Sequence, residues 1–333
     1  MFSPHGVDLG TGDKSGNISL WGPSRETNLS PRGAGSLVDS VAFSGTGDLL
    51  AVADYRRQVS LWDTGGGTEL RQLSGAMPQI STVALDRDGH RFATGNASGT
   101  IAEWDTVTGR RLWIRNEHSE IYSVAFAPNG KVLAAGDRAG QTILLNARTG
   151  NQISVPLAAS DHDAVRSVSF SPNGTLLATG DNGGVVTLWR TSDSRAIRRI
   201  LVDPSHSRVP SVAFDPDGTI LAAGDEDGSA TLWNVATGIQ TGRFADHSKV
   251  LSVAFSHNGE RLATGDSDGT IVTWNVTTGT EASSPTALGV QVYSIAFSSD
   301  GTSLAAANDD TSFTLLPSII ADDSTAQLAA SLV

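Results

Sequence analysis

VLSVAFSHNGERLATGDSDGTIVTW, residues 250–274, decides how the whole chain is read. Val250 to Phe255 alternate into a short strand that is apolar enough on both sides to be buried on both. His257-Asn258-Gly259 makes a tight turn in which Gly can take positive φ. Arg261 to Thr264 forms a second strand, and Asp266-Ser267-Asp268-Gly269 turns the chain again. Thr270 to Trp274 is a third strand, rich in β-branched residues. Thr278-Gly279 then leads into a weaker fourth. Phe255 and Trp274, nineteen residues apart, are its landmarks.

The same pair of anchors recurs along the chain. Phe2/Trp21, Phe43/Trp62, Leu85/Trp104, Phe126/Leu145, Phe170/Trp189, Phe214/Trp233 and Phe297/Leu316 all keep the nineteen-residue interval. First anchors follow one another at 41, 42, 41, 44, 44, 41 and 42 residues. Turn glycines stand five residues after the second anchor at Gly67, Gly109, Gly150, Gly238 and Gly279. A period near forty marks stacked supersecondary units, none able to bury its apolar face alone. Four antiparallel strands per unit with polar turns at both ends predict an all-β propeller.

On these residues the chain resembles the WD-repeat family over nearly its whole length, as a divergent, bacterial-like member. The signature dipeptide stands as Trp62-Asp63 and Trp104-Asp105, and drifts to Trp233-Asn234, Trp274-Asn275 and Trp189-Arg190. The resemblance implies a hydrogen-bonded network of a His, a second-strand hydroxyl, a turn Asp and the Trp. Only the seventh unit keeps all four, as His247, Thr264, Asp268 and Trp274. The sixth has His206, Asp227 and Trp233, but Ala223 in place of the hydroxyl. Further aligned His residues are His118 and His162.

The ends are less regular. Only Met1 precedes the first anchor, so residues 1–24 read as an incomplete unit, and as the mark of a chain cut from, or misassigned within, a longer array. Arg25 to Leu29 is expected to supply the outer strand missing from the last unit, which gives seven blades over 25–317; an eight-blade ring is the alternative. Residues 318–333 change character, and Asp322-Asp323-Ser324 caps a short expected helix.

Composition narrows the function. A net charge of −12 argues against nucleic acid as principal partner, because counterion release needs clustered cations. No apolar run has the length of a membrane helix, and the N-terminus shows no secretory pattern, so a cytoplasmic protein is expected. Cys is absent, so no thiolate metal site exists. Gly10-Thr11-Gly12-Asp13-Lys14-Ser15 is no phosphate loop, because Asp13 would repel the phosphate and the slot recurs in many units. The acidic turns lack a full calcium-ligand set. No Gly-x-Ser-x-Gly elbow occurs. No cofactor, metal or catalytic residue is expected.

Two features carry a functional reading. Asp13, Asp54, Asp137, Asp181, Asp225, Asp266 and Asp309 occupy one turn slot, with Asn96 the exception. They read either as an acidic rim for a basic partner or as repeated turn chemistry. Four residues before each first anchor stand Asp39, Ser81, Tyr122, Arg166, Pro210, Leu251 and Tyr293, a slot that changes character from unit to unit. In the family it resembles, such positions contact partners. Tyr and Arg are hot-spot types, and Glu120, Arg208 and Lys249 lie alongside. The slot reads as a binding surface or as neutral variation. The function expected is a non-catalytic protein or peptide scaffold using the rim and channel face. A sensor or regulatory module of a larger nucleotide-switch or kinase-type signalling protein is second. A propeller hydrolase with a central metal is third.

Overall fold

The computed structural model describes residues 9–12, 18–22, 25–29, 38–44, 48–54, 58–63, 68–74, 77, 79–158, 163–202, 205–245, 248–256, 258–283, 285–287, 291–297, 303–308 and 313–317. The expected C-terminal helix lies outside them. All regular structure among them is antiparallel strand, arranged in eight sheets that follow chain order. Six sheets have four strands and the first and last have three. In the fourth sheet the inner strand is Ile121–Phe126, followed by Val132–Asp137, Gln141–Asn146 and the outer Leu157–Ala158. The order is that of a meander, each strand pairing with the next.

Arg25–Leu29 pairs with Ile18–Gly22, from Ile18↔Leu29 to Gly22↔Arg25. It is therefore the outer strand of the first sheet, which corrects its expected place in the last. The last sheet consists of Val292–Phe297, Ser303–Asn308 and Phe313–Pro317. Leu9–Gly12 of the first sheet touches both the inner strand of the second sheet, Val38–Phe43, and Ser303–Asn308 of the eighth. The anchor pairs from Phe43/Trp62 to Phe297/Leu316 thus fall in consecutive sheets, and the architecture is a β-propeller.

Cohesion comes from packing sheet on sheet. Each apolar cluster draws on two neighbours: Ala178, Val186 and Leu188 of the fifth sheet meet Val209, Val212 and Leu221 of the sixth. Ala222, Ala230 and Leu232 of the sixth meet Val250, Val253 and Trp274 of the seventh. A third strand is consequently buried on both faces, as Thr270–Asn275 is through its four central residues. In the third to seventh sheets one glycine, Gly95, Gly136, Gly180, Gly224 or Gly265, makes the close approach possible, and Ala53 and Ala307 hold its place in the second and eighth. A Cβ on Gly136 would lie 2.6 Å from Val165 Cγ1 of the next sheet, inside contact distance. That is why the Gly-Asp or Gly-Asn step at the end of the second strand recurs, and it is packing rather than phosphate chemistry.

The inner strands, which carry an open edge along the channel, are stitched by side chains. Ser123 Oγ accepts the Val168 N–H of the next sheet at 3.3 Å. Ser40, Ser167, Ser211 and Ser252 accept from Val83, Val212, Val253 and Ile295 at 3.1 to 3.2 Å, and Thr82 from Val124 at 3.4 Å. An edge N–H with no strand to pair is thereby satisfied without offering the edge to another chain.

Candidate functional site

The variable slot has a backbone cause. In six of the seven inner strands the register slips by one residue near the start of the strand. Ile121 opposes Asp137 and Ser123 opposes Gly136, so Tyr122 is left without an opposite number. Slips at the same place leave out Asp39, Ser81, Arg166, Leu251 and Tyr293. In the sixth sheet Pro210, which has no N–H to donate, precedes the inner strand Ser211–Phe214. Each slip is a β-bulge, a device that twists the strand and re-aims one side chain. The bulge residue is free to vary, while the hydroxyl residue after it holds the neighbouring sheet.

Around the fourth and fifth sheets the bulge residues meet. The Arg166 guanidinium lies 4.0 Å from the centre of the Tyr122 ring, a cation–π contact across the sheet boundary. Arg166 Nε donates to Asn182 Oδ1 at 2.8 Å. The Tyr122 hydroxyl donates to Glu120 Oε2 at 3.1 Å, and Arg138 Nη1 stands 3.7 Å from the same oxygen. Burial, with Glu120 beside it, raises the Tyr122 pKa, so the phenol stays a donor. Further round the same face, Glu226 takes Arg208 at 3.6 Å and Lys249 at 3.4 Å. Five expected partner-contacting residues, Glu120, Tyr122, Arg166, Arg208 and Lys249, thus fall into two half-exposed clusters. Asp39 and Tyr293 share the bulge position, but their side chains are not among those described. Asn182, Arg138 and Glu226 were not singled out as partner-contacting residues from sequence, because they sit in turns whose scaffold role is obvious and whose second role needs coordinates.

Of the two readings of the aligned carboxylates, the described residues favour repeated turn chemistry over an acidic rim. Asp137, Asp181, Asp225 and Asp266 are buried, and so is Asn96. Their side chains cap the turn that follows. Asp266 Oδ1 accepts the N–H groups of Asp268 and Thr270 at 3.0 and 2.7 Å, and Asp181 Oδ1 those of Gly183 and Val185. Asn96 does the same for Ser98 and Thr100, which is why it can replace Asp there. Burial pushes the Asp137 pKa up. Among the described residues these carboxylates form no exposed acidic face, and the reading of a basic partner loses its footing.

Of the expected four-residue network, Trp274 Nε1 donates to Thr264 Oγ1 at 3.1 Å in a buried contact. Asp268 is exposed, and the carboxylate buried in its turn is Asp266. His247 lies outside the described residues. The missing hydroxyl of the sixth sheet is supplied from elsewhere: Trp233 donates to Thr231 at 3.0 Å, the residue directly across from Ala223. Trp62 likewise uses Ser60, across from Val52. Trp104 and Trp189 use Thr94 and Thr179 at 3.0 Å. Where Leu145 replaces Trp, the pair is Ala135↔Ile143 and has no hydroxyl at all. One cross-strand pair per sheet must satisfy the indole N–H, and either member can do it.

The third sheet departs from the rest. Glu103 occupies a position held by Leu in six sheets, Leu20, Leu61, Leu144, Leu188, Leu232 and Leu315, and its side chain is fully buried. It accepts from Arg91 Nη1 at 2.7 Å and from Trp113 Nε1. Arg91 also holds Asp86 at 3.1 Å and the Gly130 carbonyl of the fourth sheet at 2.8 Å. Trp113 packs on Gly150, whose φ of +70° and 2.6 Å clearance from the ring admit no side chain. Burial raises the Glu103 pKa to about 7, outweighing the opposing pull of Arg91 and the Trp113 N–H.

Among the described residues no group of three or more His, Cys, Asp or Glu is arranged to hold a metal ion, and no helix is long and apolar enough to cross a membrane. His118 and His206 are exposed turn residues at positive φ.

Comparison with known proteins bears on the repeat. The family model described as "IFT122 first beta-propeller" matches residues 79–319, well over half of the chain. "WD domain, G-beta repeat" matches residues 27–63. Protein groucho of Drosophila melanogaster is 26% identical over 147 residues, which are 43% of this chain and 20% of that protein. The chain therefore spans about a fifth of that relative's length. With repeat, sheet order and indole geometry in agreement, the chain belongs to the WD-repeat β-propeller family.

Proposed function

We propose that this propeller is a non-catalytic, cytoplasmic scaffold that binds a protein or peptide partner through the face bearing its inner-strand bulges. WD-repeat propellers typically mediate protein–protein interactions, and this chain builds the same framework. The observation that carries the reading is the Arg166–Tyr122 stack. It joins two neighbouring sheets, presents an aromatic and a guanidinium together, and rests on a backbone slip that exempts both residues from pairing. Side chains held this way lose little freedom on binding, and Tyr and Arg are residues on which interfaces concentrate their energy. Glu120 beside the stack, and Arg208 and Lys249 further round the same face, add charges of both signs that set the register of a partner.

The test is affinity capture with mass spectrometry, comparing wild type with a Tyr122→Ala/Arg166→Ala double variant that melts at the same temperature. A defined partner retained by wild type and lost by the variant supports the reading. Identical captured sets would refute it.

A further inference from the structure

We infer that the cleft between the third and fourth sheets, on the face opposite the bulges, is a second docking site, for a polypeptide segment carrying Asp or Glu beside apolar residues. The cleft has a volume of about 740 Å³ and is lined by Arg91, Lys131 and Arg148 with Asn129, Asn146 and Leu112 among its walls. That volume holds several side chains. Three cations and no carboxylate line it, on a molecule whose net charge is −12. The local sign is opposite to that of the whole, and a concave wall concentrates the field.

The state of the cations separates this cleft from the bulge face. There Arg138, Arg208 and Lys249 each have a glutamate within 3.7 Å. Lys131 and Arg148 are exposed and have no ion-pair partner among the described residues. Arg91 is fixed instead of free, gripped from behind by Asp86 and Glu103. Leu112, 45% exposed, gives the cleft an apolar contact beside its charges.

The junction itself differs from the three that follow it on this face. At the next three sheet boundaries a proline covers the turn glycine of the following sheet. Pro128, Pro172 and Pro216 lie 3.4, 3.2 and 3.4 Å from where a Cβ would stand on Gly174, Gly218 and Gly259. In the third sheet Arg87 replaces that proline, and the Arg91 guanidinium reaches Gly130 in its stead. An apolar cover is thus exchanged for a cationic floor at one boundary. Carboxylates on a peptide fit Lys131 and Arg148 as charge-assisted acceptors, and an adjacent apolar residue fits Leu112.

The experiment measures fluorescence polarisation of a labelled octapeptide of alternating Glu and Leu, beside its Gln/Leu counterpart, on the full chain. Saturable binding of the Glu peptide is expected, roughly tenfold tighter than the Gln peptide, and at least about tenfold weaker in Lys131→Glu/Arg148→Glu. The milder Lys131→Gln/Arg148→Gln, which keeps side-chain bulk, should weaken it in the same direction. Tyr122→Ala/Arg166→Ala should leave it unchanged, so this site stands or falls apart from the bulge face. Equal binding of the two peptides, or unaltered affinity in both charge variants, would overturn it. Displacement by inorganic phosphate at the peptide's own concentration would also overturn it, showing a free-anion site.

Discussion

The third and seventh sheets share a plan and differ at their centre. Both seat a Trp whose indole N–H meets a second-strand Thr, Trp104 on Thr94 and Trp274 on Thr264. Both stack that indole on a Phe, at 6.0 Å for Phe92 and 5.1 Å for Phe244. Beside the indole the seventh sheet places Thr273, whereas the third buries Glu103 under Arg91 and Trp113. The seventh sheet shows what the repeat requires. The third shows how far a single sheet can depart once those requirements are met, and the departure lies next to a cleft. In a repeat protein the shared residues report the fold, and the exceptions mark where one sheet does something the others do not.

The largest effect should come from breaking what the two sheets share. Trp274→Ala removes a buried indole between the sixth and seventh sheets and should cost roughly 3–5 kcal/mol, with Trp104→Ala similar. Denaturant unfolding measures both, and wild-type midpoints would contradict the packing described.

The next effect should sharpen what they do not share. Glu103 has a folded pKa of about 7 against the ordinary carboxylate value of 4.5, so the folded chain holds its proton more tightly. Well below pH 4.5 the group is protonated in both states and costs nothing. Stability then falls as pH rises through the window to about 7, and levels off above it. The loss approaches about 3 kcal/mol at full deprotonation. Wild type compared with Glu103→Gln at each pH isolates the group, and a flat difference would show that it titrates normally.

A smaller change tests the indole rule. Thr264→Val leaves the Trp274 N–H buried without an acceptor and should cost about 1–3 kcal/mol. Adding Val272→Thr moves the hydroxyl to the facing residue, where the sixth sheet has it, and should recover most of the loss. Double-mutant-cycle unfolding measures the recovery; none would mean that the two strands are not interchangeable.

The period, the strands, the turns and the family resemblance could all be read from the sequence, because anchors and glycines repeat at fixed offsets and each has a steric cause. The variable slot was also visible as variation. The reason for it was not, since a register slip leaves no mark on the residue it frees. Asp137, Asp181, Asp225 and Asp266 were legible as a series but not as buried. A turn carboxylate that caps its own backbone has the same sequence as one that faces a partner. The outer strand at Arg25–Leu29 was placed on the wrong sheet because outer strands are short and weakly patterned, so pairing choice rests on geometry. Glu103 drew no notice because its meaning depends on Arg91 and Trp113, twelve and ten residues away and on other strands.

Neighbouring residues on one inner strand offer the most direct test. Arg166 is a bulge residue facing outward, and Ser167 accepts the Val212 N–H of the next sheet at 3.2 Å. Equilibrium unfolding of the two alanine variants, Arg166→Ala and Ser167→Ala, should give a loss of about 1–3 kcal/mol for the serine and no more than about 1 kcal/mol for the arginine. Equal losses, or a greater loss at Arg166, would contradict the division of the inner strand into one residue that holds the propeller and one that is free to recognise.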